Sequence, residues 1–427
     1  MEQHELRQWE HRCIQEEKPE CVARCPLHVD ARQFCSLMAQ RRWDKAWVVL
    51  VKTMPLPGVL ARLCEAPCRE ACVRKDAGGA IALGALERFC AHEAKPAPPP
   101  RPLPSRGKSV AVLGGNMAGL CAAWEMSRRG FDVSLQCGDP AVDLRELAAG
   151  ALPQGTVERE LENLSRLGCR IESGVDCSAE LLESLLEDND AVFVDADAVP
   201  DDVWGFGEPD ELTLGTRRSG LFCSRAGETR IIEKAAAGRR AANSIERYTQ
   251  GVSMVSGRER EGAYETRLFT SLAKVEPLGP ACGETCTEAE ARDEARRCLQ
   301  CECMECVKVC EYLRHYKSYP KIYVRQIYNN DSIVMGTRQA NTMINSCMLC
   351  GLCKTVCPED FDMAEVCLDA RKSMVEKGKM PPSAHEFALR DMDFANSEKC
   401  TLARHAPGAQ SSSYVFFSGL SARRIGP

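Results

Sequence analysis

Four cysteines stand at 347, 350, 353 and 357, in the stretch CMLCGLCKTVCP, with a proline after the last. Thiolates set this closely on one loop can converge on a single compact object. The spacing C-x2-C-x2-C-x3-C-P is that of a loop folded round a four-iron, four-sulfur cube, whose fourth cysteine serves a neighbouring cube. Structural zinc sites favour two CxxC pairs separated by a longer insert, and plain buried thiols do not account for the spacing and the proline together. A second run, CLQCECMECVKVC, lies upstream: Cys303, Cys306 and Cys310 fit its last three positions, but Gln300 occupies the first. The missing ligand must then be Cys301 or Cys298. The set expected here is Cys298, Cys301, Cys306 and Cys310, with Cys303 as a substitute, beside Cys347, Cys350, Cys353 and Cys357. Cys367, on a predicted helix, reads as core.

These runs belong to a chain of 427 residues with 26 cysteines. The N-terminus, MEQHELRQWEHR, has no apolar leader segment, and no apolar run approaches the roughly 18 residues of a membrane helix. Such a chain is expected in a reducing cytoplasm, with its thiols committed to metal or cluster ligation. The net charge of −6 is spread along the chain, and no basic stripe points to nucleic acid. The seven histidines are scattered, so no acid–base constellation is visible.

The chain reads as multidomain. Residues 1–95 are helical, with cysteines at 13, 21, 25, 35, 64, 68, 72 and 90. A proline-rich linker, 96–107, marks a boundary. Residues 108–252 alternate strand and helix, opening with SVAVLGG, MAGLCAAWEMSRRG and FDVSLQC and closing on the helix RIIEKAAAGRRAANSIERYTQ. A charged connector fills 253–290, the cysteine-rich helical region spans 291–375, and 376–427 is a mixed tail.

The segments PECVARCPLHVDARQF, RLCEAPCREACVRKD, IALGALERF, VAVLGGNMAGLCAAWEMSRRGFDV and EKAAAGRRAANSIERY carry a family likeness. Together they make the first 250 residues resemble the small subunit of glutamate synthase and the N-terminal half of dihydropyrimidine dehydrogenase. Residues 291–400 resemble the two-cluster ferredoxin domain of heterodisulfide-reductase-like iron–sulfur subunits. The fold so implied is a helical iron–sulfur domain, a Rossmann-like α/β domain of the FAD-binding type, and a helical ferredoxin-like domain with two [4Fe–4S] clusters. The resemblance assigns one N-terminal cluster to Cys21, Cys25, Cys68 and Cys72. It assigns another to Cys13, Glu16, Cys64 and Glu87, where Glu16 replaces a cysteine and weakens the site. Cys35 and Cys90 read as helix-core thiols. Gly114, Gly115 and Gly119, with Arg239, are the cofactor-binding residues that it carries over for FAD.

The sequence also departs from that family. Asn116 stands in GGNMAG where the second glycine belongs, and Cys137 replaces the acid expected at the end of the second strand. The strand end reads Asp195–Asp197, and the late flavin-contact motif reads Ser224–Ala226. The nicotinamide-binding insert is missing: no second glycine-rich strand–turn–helix follows, so a seat for NAD(P)H is not expected. The ending YVFFSGLSA looks like the start of the cysteine-rich module of heterodisulfide-reductase-like proteins, without its cysteine. The expected function is an electron-transfer component passing electrons to a partner subunit, which carries that module. The alternatives are a flavoenzyme with its own substrate and a scaffold with relic sites.

Overall fold

The computed structural model describes residues 1–95, 100–199, 207–332, 340–378, 386–399 and 405–414. The chain divides into two compact units. One comprises Ile14–Cys303; the other joins Met1–Cys13 to Met304–Pro427.

The unit Ile14–Cys303 is built round one five-stranded sheet: β1 (Ser109–Leu113), β2 (Asp132–Cys137), β3 (Arg170–Ser173), β4 (Ala191–Val194) and β5 (Leu221–Cys223). Every pairing is parallel and the order is β3-β2-β1-β4-β5. Val110 pairs with Val133 on one side and Ala191 on the other. Strands buried on both faces need unbroken apolar runs; β1 and β4 supply them, with Val110 to Leu113 and Ala191 to Val194 all buried. The helix Met117–Arg128 packs against Ile231–Gln250. A methyl group at Gly238 would lie 2.5 Å from the Ala118 carbonyl oxygen, so this glycine sets how closely the two helices approach.

Helices Ala31–Ala39, Trp43–Thr53, Pro57–Leu63 and Leu83–Glu93 form the rest of this core. The connector, read from sequence only as a charged link, is tied to this unit by hydrogen bonds. Tyr264 N–H donates to the Ala23 carbonyl at 3.0 Å, and Arg74 Nη2 to the Glu276 carbonyl at 2.9 Å. Cys282 and Cys286 within it are disulfide-bonded. Among the described residues no single helix is long and apolar enough to cross a membrane. The bent pair Trp43–Thr53 and Pro57–Leu63, at 95°, comes nearest and contributes much of its apolar surface to this core.

In the other unit, the helix Gln3–Arg12 lies on Pro320–Ser332. Sequence placed this first helix in the N-terminal iron–sulfur domain, but its apolar side chains find partners elsewhere. Trp9 meets the buried Phe361 at 5.1 Å between ring centroids, and Glu10 accepts from Arg325 Nε at 2.5 Å. The core is Tyr312, Tyr323, Val324 and Ile327 against Val366, Cys367 and Met374 of the helix Met363–Glu376.

Candidate iron–sulfur sites and the nucleotide crevice

In the unit Ile14–Cys303, Cys21, Cys35, Cys72, Cys298 and Cys301 line one cavity, walled otherwise by Ala31, Val73, Ile81, Leu83 and Leu299 among others. The helix Glu288–Arg296 packs on Ala31–Ala39 and Leu83–Glu93 and delivers Cys298 and Cys301 to this wall. Its end is fixed by Glu294, fully buried, which accepts from Ala82 N–H at 2.8 Å, Ala281 N–H at 2.6 Å and Arg297 Nη1 at 2.7 Å. Arg32 Nη1 donates to the Cys301 carbonyl at 2.9 Å.

Burial holds the Cys21 thiol well above its ordinary range, and the neighbouring Cys298, Cys72 and Cys301 push the same way. Cys298 moves in the opposite direction, to about 7, because Cys35 donates a hydrogen bond to it and Gln300 adds backbone and side-chain donors. Cys35, with no solvent exposure, keeps its proton as that donor.

A second gathering in this unit comprises Cys25, Cys64 and Cys68 around Glu87. The Cys64 and Cys68 thiols are raised first by burial and next by Glu87; Cys25 is raised by burial and also senses Glu87. Glu87 is buried on the helix Leu83–Glu93, which pushes its carboxyl up to about 8. Ala66 N–H donates to Cys64 Sγ at 3.3 Å. Of the expected set Cys21, Cys25, Cys68 and Cys72, only Cys21 and Cys72 line the cavity; Cys25 and Cys68 lie nearer Glu87, though Cys21 still senses Cys25 and Cys68 senses Cys21. The short helical stretches Glu20–Ala23 and Pro67–Glu70 carry Cys21 and Cys68, with Cys25 and Cys72 two residues past their ends, and within each pair only one thiol lines the cavity. Glu16, on the turn Ile14–Glu16, is not among the residues lining the cavity.

In the other unit, Cys13, Cys306, Cys310, Cys347 and Cys357 pack against the core that contains Cys353. Cys353 receives backbone N–H bonds from Met363 and Ala364 and senses Cys310. Cys310, the last cysteine of one run, and Cys353, the third of the other, thus lie in one gathering. Cys347 is drawn down to about 6, first by a hydrogen bond from Cys367 and then by Leu349 N–H and the nearby Arg371. Cys367 is fully buried, as core, but it also contacts a candidate ligand. Cys350 is exposed. Among the described residues no three His, Cys, Asp or Glu side chains converge tightly enough for a single metal ion; these are looser gatherings of thiols. Soft thiolates in apolar surroundings are the donor set that iron–sulfur clusters use, so the side chains fit that cofactor.

The crevice at the switch point between β1 and β4 is different. A dinucleotide would place its pyrophosphate at the N-terminus of Met117–Arg128, where free N–H groups and the helix dipole attract an anion. Here the Asp195 carboxylate already accepts from Gly119 N–H at 2.6 Å, and the Asn116 side chain accepts from Met117 N–H. Asp195 is buried, which raises its carboxyl to about 6. Gly114 has φ +101, and a Cβ there would lie 2.9 Å from Ala198 Cβ; one on Gly115 would meet Cys137 Cβ at 2.8 Å. Arg239, expected at the cofactor, instead ties helices together: it donates to Glu125, to the Leu27 carbonyl at 2.7 Å and to the Thr53 carbonyl. As folded, this crevice does not fit a pyrophosphate; a dinucleotide would have to displace Asp195. The YVFFSGLSA ending lies beyond Tyr414, outside the described residues.

Two regions match known families. Residues 1–97 match the family described as "Dihydroprymidine dehydrogenase domain II, 4Fe-4S cluster", and residues 297–362 match "4Fe-4S dicluster domain". Among curated proteins, the chain is 29% identical over 198 residues to the NADPH-Fe(3+) oxidoreductase subunit beta of Geobacter sulfurreducens, covering 43% of this chain and 29% of the relative. It is 29% identical over 203 residues to the NADP(+)-dependent formate dehydrogenase subunit beta of Moorella thermoacetica, covering 41% and 29%. It is 28% identical over 194 residues to the glutamate synthase [NADPH] small chain of Escherichia coli, covering 43% and 41%. The chain thus spans well under half the length of these relatives. It carries iron–sulfur domains of the 4Fe–4S type at both ends, and it is similar to oxidoreductase subunits.

Proposed function

We propose that this chain, with a 4Fe–4S domain of the dihydropyrimidine dehydrogenase domain II type and a 4Fe–4S dicluster domain, is an electron-relay component of an oxidoreductase complex. The observation that carries this reading is the gathering of thiols, from segments far apart in sequence, into separate apolar groups in each compact unit. Cubes held there would supply one-electron carriers whose potentials follow hydrogen bonding to sulfur, charge and solvent exposure. The protein's own part is to hold thiolates at fixed positions, to exclude water with apolar walls, and to donate hydrogen bonds to sulfur from Cys35, Cys367 and the loop amides. The occupied crevice at Asp195 favours relay by clusters over flavin chemistry. The relatives' names point to subunits of larger enzymes, which supports a partner subunit as the electron acceptor; that this partner bears a heterodisulfide-reductase-like cysteine-rich module rests on the resemblance of the ending YVFFSGLSA alone.

Anaerobic purification followed by iron, acid-labile sulfide and flavin analysis tests the proposal. About eight irons are expected from the C-terminal clusters and four to eight from the N-terminal sites, at four per cube. Dithionite should produce paramagnetic signals from reduced clusters. A chain holding stoichiometric zinc, with no reducible signal, would refute the relay.

A further inference from the structure

In a chain that binds clusters as proposed above, the second run is short of a first ligand, and the N-terminal domain has Glu16 where a cysteine is expected. These two defects have one explanation. We propose that Cys298 and Cys301 leave the C-terminal run and complete an N-terminal [4Fe–4S] site with Cys21 and Cys72, while Cys13 leaves the N-terminal set and joins the thiols of the C-terminal unit.

Three independent observations carry this. First, Cys21, Cys72, Cys298 and Cys301 line one cavity that neither Cys13 nor Glu16 lines. Second, the segment Cys298–Cys301 is shaped as a ligand loop. Gln300 has φ +52, and its counterpart in the clean run, Leu349 between Cys347 and Cys350, has φ +56. A left-handed conformation is uncommon for residues other than glycine, and here it occurs at the same place in both CxxC turns. In each turn that residue's backbone N–H donates to the sulfur of the preceding cysteine, Cys298 or Cys347. The Gln300 side chain adds a donor to Cys298 Sγ at 3.3 Å and another to the Arg32 carbonyl at 3.1 Å, tying the loop to the helix that carries Cys35. Third, Cys13 caps the helix Gln3–Arg12, and that helix is anchored in the other unit. Trp9, one turn before Cys13, packs at a tilt against Phe361, four residues after Cys357, and Cys13 packs against the same core as Cys306, Cys310, Cys347 and Cys357.

Cys35 is the fifth thiol at the cavity. It is fully buried on the helix Ala31–Ala39, where it neighbours Cys298, and the proposed set leaves it outside as a hydrogen-bond partner of that sulfur. Four thiolates are what a cube requires, and Cys21, Cys72, Cys298 and Cys301 supply them. The carboxylate substitution at Glu16 then has no effect on this site, because that position no longer faces it.

The experiment uses the full-length chain, reconstituted anaerobically, with three variants: Cys13→Ala, Glu16→Cys and the double variant Cys298→Ala/Cys301→Ala. Iron is counted, and each cysteine's protection from alkylation is mapped by peptide mass spectrometry. The double variant should lose about four irons, one cube, and Cys21 and Cys72 should become alkylated while Cys310, Cys347, Cys350 and Cys353 stay protected. Cys13→Ala should leave Cys21 and Cys72 protected and expose thiols of the C-terminal unit instead. Glu16→Cys should add no iron. The exchange is overturned if the double variant exposes Cys306 and Cys310 while Cys21 and Cys72 stay protected, or if Cys13→Ala exposes Cys21 and Cys72. It is equally overturned if Glu16→Cys adds four irons. A wild-type chain that takes up no iron refutes the relay function itself, an outcome distinct from these.

Discussion

Replacing Glu294 with Ala should detach the Cys298–Cys301 loop from its cavity. Glu294 has no solvent exposure, and its partner Arg297 shows only 4% of its side chain. The substitution removes the acceptor of three hydrogen bonds, from Ala82, Ala281 and Arg297. Arg297 keeps the carbonyls of Gly79 and Leu278, but its charge loses its counter-ion. Two buried backbone N–H groups left unsatisfied cost about 1–3 kcal/mol each, and breaking a buried ion pair typically costs about 3–5 kcal/mol. Because these terms overlap, about 3–5 kcal/mol is expected in all. Every 1.4 kcal/mol is a factor of ten, so local opening should become roughly a hundred- to a few-thousand-fold more frequent. Hydrogen exchange by mass spectrometry on the intact holoprotein reads this as faster exchange in the peptides covering 79–82 and 288–303. Iron retention under a chelator should fall by about one cube. Asp293→Ala, on the same helix but about half exposed and paired among the described residues with Arg292 and Arg296, should change neither readout. Unchanged exchange with full iron in Glu294→Ala would refute the claim that this clamp positions the loop.

Cys35→Ala should lower the reduction potential of the cluster at the Cys21 cavity, because a hydrogen bond to a ligand sulfur favours the more negative, reduced state. A bond worth about 1 kcal/mol corresponds to about 40 mV for one electron. A potentiometric EPR titration reads the shift, and loss of four irons instead would make Cys35 a ligand. Mixing the anaerobic chain with NADPH in stopped flow should give no saturable bleaching of cluster absorbance, since this chain's single described parallel sheet has its crevice occupied by Asp195; rapid bleaching without a partner would contradict the relay. Asp195 has a folded pKa of about 6 against an ordinary 3.8, so the folded state holds this proton more tightly, and stability falls as pH rises from about 4 through 6. The gap is worth about 3 kcal/mol, and Asp195→Asn should flatten that part of the pH dependence of exchange in the β4 peptide; an unchanged slope would show that Asp195 does not titrate there.

The parallel sheet was legible because its signals are local. Two short, fully apolar runs bounded by a glycine turn and a long amphipathic helix predict buried parallel strands, and β1, β2 and β4 lie where SVAVL, DVSLQC and AVFV stand. The connector was not legible as structure. Its order comes from its own backbone carbonyls accepting from arginines of distant elements, Arg74, Arg88 and Arg297, a pattern with no periodicity in sequence. The first helix, expected in the N-terminal iron–sulfur domain whose family match also begins at residue 1, packs in the other compact unit for a related reason. Its polar sequence, QHELRQWEHR, carries two apolar anchors, Leu6 and Trp9, and nothing local says which of two cores they enter.

The cluster sites show the same limit more sharply. Spacing reports the shape of one loop, so both CxxC turns could be recognised, and with them the chemistry they serve. Which loops share a cube is a tertiary fact. On a short helical stretch, cysteines four apart are close neighbours, which makes Cys21 and Cys25, or Cys68 and Cys72, look like natural partners. A cube is also too bulky to be gripped by one turn and bonds thiols that arrive from different elements. The structure places one member of each pair, Cys21 and Cys72, on the cavity and leaves the other off it. A sequence signal for this existed. Gln300 in the first position of the second run and Glu16 in the N-terminal set are complementary losses, and Cys298 and Cys13 are the surplus thiols that match them. Read together they describe an exchange between two ligand sets. Read one domain at a time, they look like two separate degenerations, one of them predicting a weak cluster at a position that the cavity lined by Cys21 does not use.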